Sequence, residues 1–157
     1  MERDLSNLVG ICGLYCGTCP SYLAYRKNDM GYMKKRAKEK GYTIEGLRCD
    51  GCLSDKVADH CKDCRHGFRS CAAEKHVNWC FECEEFPCQR LKNFSGIHII
   101  NGISHHEHVI DDLQYMKQHG IEEWLKIKDK ASRCTGCGEV LYWFDHKCPV
   151  CNGLVEK

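Results

Sequence analysis

The stretch VGICGLYCGTCPSY, residues 9–22, sets Cys12, Cys16 and Cys19 in the order C-x3-C-x2-C. Eight more cysteines follow by Cys88, most of them as C-x2-C pairs. From Cys49 to Cys88 they come too thickly for long helices or strands, so that segment reads as short turns wrapped around metal. The whole chain carries 15 cysteines in 157 residues, and without them the apolar share falls from 43% to roughly a third. A core that lean needs cross-links or metal ions to hold it.

Disulfides and metals are the two candidates. The opening residues MERDLSNLVG contain no apolar signal segment, which points to a reducing, cytoplasmic location where disulfides are rare. No apolar run is long enough to span a bilayer, so no membrane role is expected. An odd cysteine count prevents complete internal pairing, and C-x2-C pairs hold two sulfurs together on one side of a tight turn. Metal ligation is the reading that follows. A net charge of +1 supplies no general attraction to nucleic acid or to acidic membranes.

Three zones organise the chain. Residues 1–95 form a cysteine-rich metal-binding domain, 96–131 a helical connector without cysteine, and 132–157 a zinc ribbon. The fold class is therefore small α+β, irregular and metal-stabilised. In the first zone, Ser21–Tyr25 and Asp29–Lys40 read as helix, stopped by Gly41, and Pro87-Cys88-Gln89-Arg90-Leu91 opens another. Arg26, Lys27, Lys34, Lys35, Arg36, Lys38 and Lys40 make that stretch basic, with Tyr22, Tyr25 and Tyr32 interleaved. It is where a macromolecular partner, protein or nucleic acid, is sought. In the connector, Ser104 and Glu107 predict a capping box. Val109, Leu113 and Met116 then share one face, Gly120 stops the helix, and Ile121, Trp124, Leu125 and Lys128 continue as a second. His105, His106 and His108 are read as the polar first turn of that helix. Val140–Phe144 reads as a strand, and glycines after the last two cysteine pairs permit left-handed turns.

The clearest ligand set is Cys134, Cys137, Cys148 and Cys151, C-x2-C-x10-C-x2-C. Four thiolates close a tetrahedral shell around Zn²⁺ with no open position, which makes the site structural. Rubredoxin-like iron takes the same geometry, and spacing does not separate the two. Cys49, Cys52, Cys61 and Cys64 form a second complete set, and Cys71, Cys80, Cys83 and Cys88 a third, with interleaved pairing as an alternative partition. Cys12, Cys16 and Cys19 remain. Fifteen sulfurs are one short of four tetrahedral shells. Either a histidine completes the last, with His60, His66 and His76 inside the cysteine-rich zone, or one position stays open. The expected cofactors are three or four zinc ions, or zinc plus a [4Fe–4S] cluster on Cys12, Cys16 and Cys19, where Cys19-Pro20 is similar to the Cys-Pro that ends ferredoxin motifs.

The C-x3-C-x2-C spacing is also that of radical S-adenosylmethionine enzymes. Their barrel takes about 200 residues or more. Here Thr18 stands where those enzymes usually carry an aromatic residue, no Gly-Gly-Glu-like stretch follows, and alternating strands and helices are missing. That activity is excluded. No Ser–His–Asp set, phosphate-cradling loop or H-E-x-x-H motif is present either.

CGLYCGTCP, RCDGC, CKDC and WCFECEEFPCQRL, taken in order, resemble a cysteine-rich prokaryotic family catalogued as domain of unknown function 3795, over Cys12 to about Leu91. The trailing helices and last cysteine pairs look like longer members with a zinc-ribbon-like tail. The resemblance implies zinc binding through these cysteines, in a family common among anaerobic bacteria and archaea. It implies no reaction and assigns no catalytic residue. The expectation is a zinc-binding protein acting as a non-catalytic interaction module; the alternative is an iron–sulfur or redox-active protein.

Overall fold

Asp29 accepts a hydrogen bond from the Tyr32 amide at 3.0 Å, and Gly41 turns the chain at φ 70°, so the basic stretch is helical between a side-chain cap and a left-handed stop. The computed structural model describes residues 5–156. It is mostly helical. A 3₁₀ turn at Leu5–Leu8 and another at Cys16–Thr18 precede α1 (Pro20–Arg26), α2 (Met30–Lys40) and α3 (Ile44–Leu47). After them come α4 (Asp59–Lys62), α5 (Phe68–Lys75), a 3₁₀ turn at Cys80–Glu82, and α6 (Gln89–Ser95). Strands β1 (Ile99–Ile100) and β2 (Ile103–Ser104) form a two-stranded antiparallel sheet, and α7 (Val109–His119) and α8 (Ile121–Ala131) follow. None of these helices is long and apolar enough to cross a membrane.

The expected capping box is replaced by a hairpin. Asn101 and Gly102 both take positive φ, 52° and 75°, the geometry of a two-residue hairpin turn. Ile100 then pairs with Ile103 and Ile99 with Ser104. Ser104 is therefore extended and cannot cap a helix. The helix starts one turn later at Val109, with His108 before it making no side-chain cap.

The main core draws Leu8, Val9, Ile11, Leu23, Phe68, Leu91 and Phe94 together with Val109, Leu113, Met116, Trp124 and Leu125 from α7 and α8. Trp124 is 1% exposed, and its Nε1 donates to Asp112 Oδ1 at 2.9 Å. Lys128 pairs with the same carboxylate at 2.7 Å. Tyr15, from the first cysteine loop, stands edge-on to the indole at 5.9 Å. Gly13 has φ 91°, and a Cβ there would lie 2.7 Å from Leu113 Cγ and 2.8 Å from the Val109 carbonyl oxygen. The loop bearing Cys12 and Cys16 thus rests directly on α7.

The predicted strand Val140–Phe144 is not formed. Val140 makes an isolated bridge to Arg133, and beyond it each amide finds a separate partner: Leu141 donates to the Ser132 carbonyl (2.9 Å), Tyr142 to Asp145 Oδ2 (2.9 Å) and Trp143 to the Thr18 carbonyl (3.4 Å). The segment is held against α1 and α2 instead. Tyr142 donates to Asp29 Oδ2 at 3.1 Å and stacks on Tyr32, while Lys27 binds both Glu139 and the Val140 carbonyl.

Replacing Gly13 by Ala forces a methyl group into α7 at a backbone angle that L-residues avoid. The variant is expected to lose about 1–3 kcal/mol of stability, read as a lowered denaturation midpoint at fixed metal content.

Candidate metal centres

Two groups of side chains among the described residues bring three or more ligand atoms within 4.8 Å of one another. One is Cys134, Cys137, Cys148 and Cys151; the other is His98, His105 and His106.

The four sulfurs come from two turns of like construction. In the first, Cys134 donates its amide to the Glu139 carbonyl at 2.8 Å, and Gly138, at φ 79°, donates back to the Cys134 carbonyl at 2.8 Å. In the second, the Cys148 amide reaches the Gly153 carbonyl at 2.9 Å and the Asn152 amide returns to Cys148 at 3.0 Å. Here the left-handed residue is Asn152, φ 61°, rather than the glycine after it; asparagine tolerates that region. Isolated bridges, Arg133 to Val140 and Lys147 to Leu154, close the two turns. Cys134 Sγ lies 3.5 Å from Cys151 Sγ, and Cys137 Sγ 3.6 Å from Cys148 Sγ. Four sulfurs at a Zn–S bond length stand about 3.8 Å apart in a tetrahedron. The donor set therefore fits one tetrahedral ion.

Charge is prepared for unevenly. Backbone amides of Cys137 and Gly136 point at Cys134 and pull its thiol down to about 7. The Glu139 amide lowers Cys137 as well, but desolvation and the neighbouring sulfurs outweigh it and push that thiol up to about 12. Four adjacent thiols do not all ionise unless a cation sits between them. Cys134 and Cys148 are buried with Leu141, while Cys137 and Cys151 face solvent.

All fifteen cysteines are free thiols, and among the described residues no three of the eleven N-terminal sulfurs contract to 4.8 Å. They gather more loosely into two nests that touch where Cys80 faces the Cys12 loop. Cys71, Cys80, Cys83 and Cys88 line one recess of about 30 Å³ with Phe68, Phe86 and Leu91. Burial pushes Cys80 up to about 12, and the charges of Cys88, Cys71 and Cys83 add to it. That grouping is the one expected from sequence order.

The other seven do not separate in that way. Burial raises Cys12 against a lowering hydrogen bond from the Leu14 backbone, and Cys52, Cys80 and Cys64 add to the rise. Burial raises Cys16, followed by Cys52, Cys19 and Cys49. Cys61 is pushed up to about 12 by burial and then by Cys19, Cys49, Cys52 and Cys64. The sets 12/16/19 and 49/52/61/64 are thus interleaved, with Cys52 between them. The Cys49–Cys52 loop docks on the Leu5–Leu8 turn that leads into the first motif. Gly51 (φ 115°) allows this, because a Cβ there would lie 2.2 Å from the Asn7 carbonyl oxygen. Arg69 ties the nest from outside, donating to the Cys52 carbonyl at 2.9 Å and to the Cys61 carbonyl at 3.3 Å.

None of the three histidines considered as extra ligands belongs to either metal-sized group, although the His66 ring stands edge-on to His106 at 6.2 Å. His60 Nε2 is 3.4 Å from Ser21 Oγ and its ring lies by Tyr42. His66 meets Phe94 edge-on, and His76 is an exposed left-handed stop after α5.

A family model for a protein of unknown function, DUF3795, matches residues 8–93. This chain belongs to the DUF3795 family. The matched segment holds all eleven N-terminal cysteines, while the Cys134–Cys151 set of this DUF3795 protein lies outside it. Neither the curated proteins nor the solved structures yielded a match.

Reading His105, His106 and His108 as the polar first turn of a helix left His98 out. The available signal was the Asn101-Gly102 turn. Counting outward from it through the paired isoleucines places His98 across from His105, and the His105 amide donates to the His98 carbonyl at 2.9 Å.

Cys148 is fully buried between the two turns. Cys148→Ser is expected to cost one metal equivalent per chain and to unfold the C-terminal segment first, read by elemental analysis and by hydrogen exchange at residues 133–155.

Proposed function

We propose that this protein is a non-catalytic interaction module organised by metal, with zinc held by Cys134, Cys137, Cys148 and Cys151 and further metal held by the eleven N-terminal cysteines. The tetrahedron-sized C-terminal sulfur set carries the reading. Such a shell leaves no position for substrate, and its binding free energy is folding free energy, about 10–16 kcal/mol in zinc-finger peptides. The recess lined by Cys71, Cys80, Cys83 and Cys88 is also far smaller than a small-molecule pocket of roughly 300 Å³ or more. On this reading the unit at 132–157 is a zinc ribbon, 96–131 connects it to the cysteine-rich domain at 1–95, and the protein works in the cytoplasm.

The partner is a macromolecule, and α2 is the surface to test. Lys34, Lys35, Lys38 and Lys40 are exposed along it. The interleaved tyrosines are already engaged: Tyr22 is buried, Tyr25 carries Arg48 over its ring, and Tyr32 stacks on Tyr142. Base stacking is therefore not offered by these rings, which leaves phosphate contact or an acidic protein face. Replacing Lys34, Lys35 and Arg36 by Gln is expected to weaken RNA binding and flatten its salt dependence, measured by titration at several ionic strengths. Unchanged binding would remove nucleic acid from the reading and leave a protein partner.

A second reading is favoured by the looser spacing of the N-terminal sulfurs. A polynuclear iron–sulfur cluster holds its thiolates on its outside, farther apart than one zinc ion does, and cysteine is its ordinary ligand. On this second reading the [4Fe–4S] cluster is carried by Cys12, Cys16 and Cys19, with Cys52, the neighbour that acts on both Cys12 and Cys16, as the candidate fourth ligand. Protein expressed with both metals and purified without oxygen separates the readings. A colourless product with zinc alone supports the first. A brown product with about four irons per cluster, and with zinc retained at the C-terminal set, supports the second and a redox role.

A further inference from the structure

The β1–β2 hairpin does more than delay α7. It sets His98 and His105 opposite one another, one pair beyond Ile99 and Ser104, and His106 follows at once. We propose that His98, His105 and His106 form a separate binding site for a zinc-class divalent cation, with three imidazole ligands and a fourth position open to solvent.

The geometry is that of a shared ion. His98 Nδ1 and His105 Nδ1 are 3.1 Å apart, and ligand nitrogens of all three rings lie within 4.8 Å. Nitrogens at Zn–N bond lengths stand about 3.3 Å apart around a tetrahedral ion. The His106 ring is set by its other nitrogen. His106 Nδ1 is 3.1 Å from the Phe94 carbonyl oxygen, which only accepts, so Nδ1 bears the proton and Nε2 keeps its lone pair. A backbone carbonyl fixing tautomer and ring direction in this way is the usual outer support of a metal-bound histidine.

Orientation is fixed on the other faces too. His105 lies flat on Trp143, ring centres 4.1 Å apart and planes within 5°. His106 lies on Phe94 at 3.9 Å. His106 is buried, His105 partly so and His98 exposed, so the cluster opens to water on the His98 side. Burial, then the neighbouring imidazoles, hold His105 down to about 3, and burial holds His106 to about 4. Both are neutral near pH 7, the form that ligates a metal. Imidazoles without a carboxylate suit zinc, copper or nickel rather than magnesium or calcium. Three protein ligands and an open place are the pattern of zinc sites that bind water or a substrate, unlike the closed four-sulfur set. These residues lie outside the segment matched by the family, so the site does not follow from the cysteine motifs.

The full chain, with its cysteine sites loaded and loosely held metal washed away, is titrated with cadmium-113 and followed by NMR, where nitrogen-bound and thiolate-bound cadmium resonate apart. One nitrogen-type signal per chain is expected, displaced by added zinc. His98→Asn should abolish it and leave the thiolate-type signals unchanged. Asn is chosen because position 98 is exposed and has φ 71°, which Asn tolerates. His105→Gln, carried out alongside with circular dichroism to confirm folding, should do the same. Absence of a nitrogen-type signal in the parent chain, its survival in folded His98→Asn, or its resistance to zinc would overturn the proposal.

Discussion

The contact of the first cysteine loop with α7 governs how the rest is arranged. Gly13 lets backbone lie against Leu113 and Val109. Tyr15 then reaches the edge of Trp124, and Ile11 and Val9 enter the same core. The helical pair thereby becomes the wall against which the cysteine-rich segment is built. Among the described residues the largest buried apolar cluster lies against that wall, and apolar burial is what opposes the entropy of ordering so many turns. Around it, short helices place sulfurs in positions that their own length would not stabilise.

Sulfur and apolar core divide the interior unevenly along the chain. At the C-terminal end the small apolar cluster is Leu141 with Cys134 and Cys148 beside it, so the sulfurs are the core. Further forward, Phe68, Leu91 and Phe94 pack on α7 and α8, and the cysteines line the edges of that packing. This difference fits the contrast in sulfur spacing. Where the sulfurs are the core, they are drawn tight. Where a core exists, the sulfurs ring it more loosely. The same segment that closes the tight shell, 139–143, is pinned to α1, α2 and the histidine hairpin through Lys27, Tyr142 and Trp143. A rearrangement of the four C-terminal sulfurs would therefore be felt at the hairpin as well.

Much of the helical layout was legible in the chain. Asp29 and Gly41 bracket α2 because a carboxylate caps and a glycine turns left wherever they stand. Val109, Leu113 and Met116 share a face because helical period is a local property. The capping-box reading at Ser104 failed for a definite reason: two local signals competed, and strand pairing across Asn101-Gly102 removed Ser104 from the helix. Val140–Phe144 failed because β-composition does not supply a partner strand. Its amides were satisfied by Ser132, Asp145 and Thr18 instead.

By itself the sequence determined that sulfur would stand in for an apolar core, and that Cys134, Cys137, Cys148 and Cys151 belong together, since a C-x2-C turn and a short connection bring ligands close with little help. The tertiary structure decided what local spacing does not encode. It mixed Cys12, Cys16 and Cys19 with Cys49, Cys52, Cys61 and Cys64, because burial of two loops against one another depends on Gly13, Gly51 and the α7 surface rather than on cysteine order. It also drew His98, His105 and His106 to one point, because hairpin register and the flat faces of Phe94 and Trp143 act across the fold.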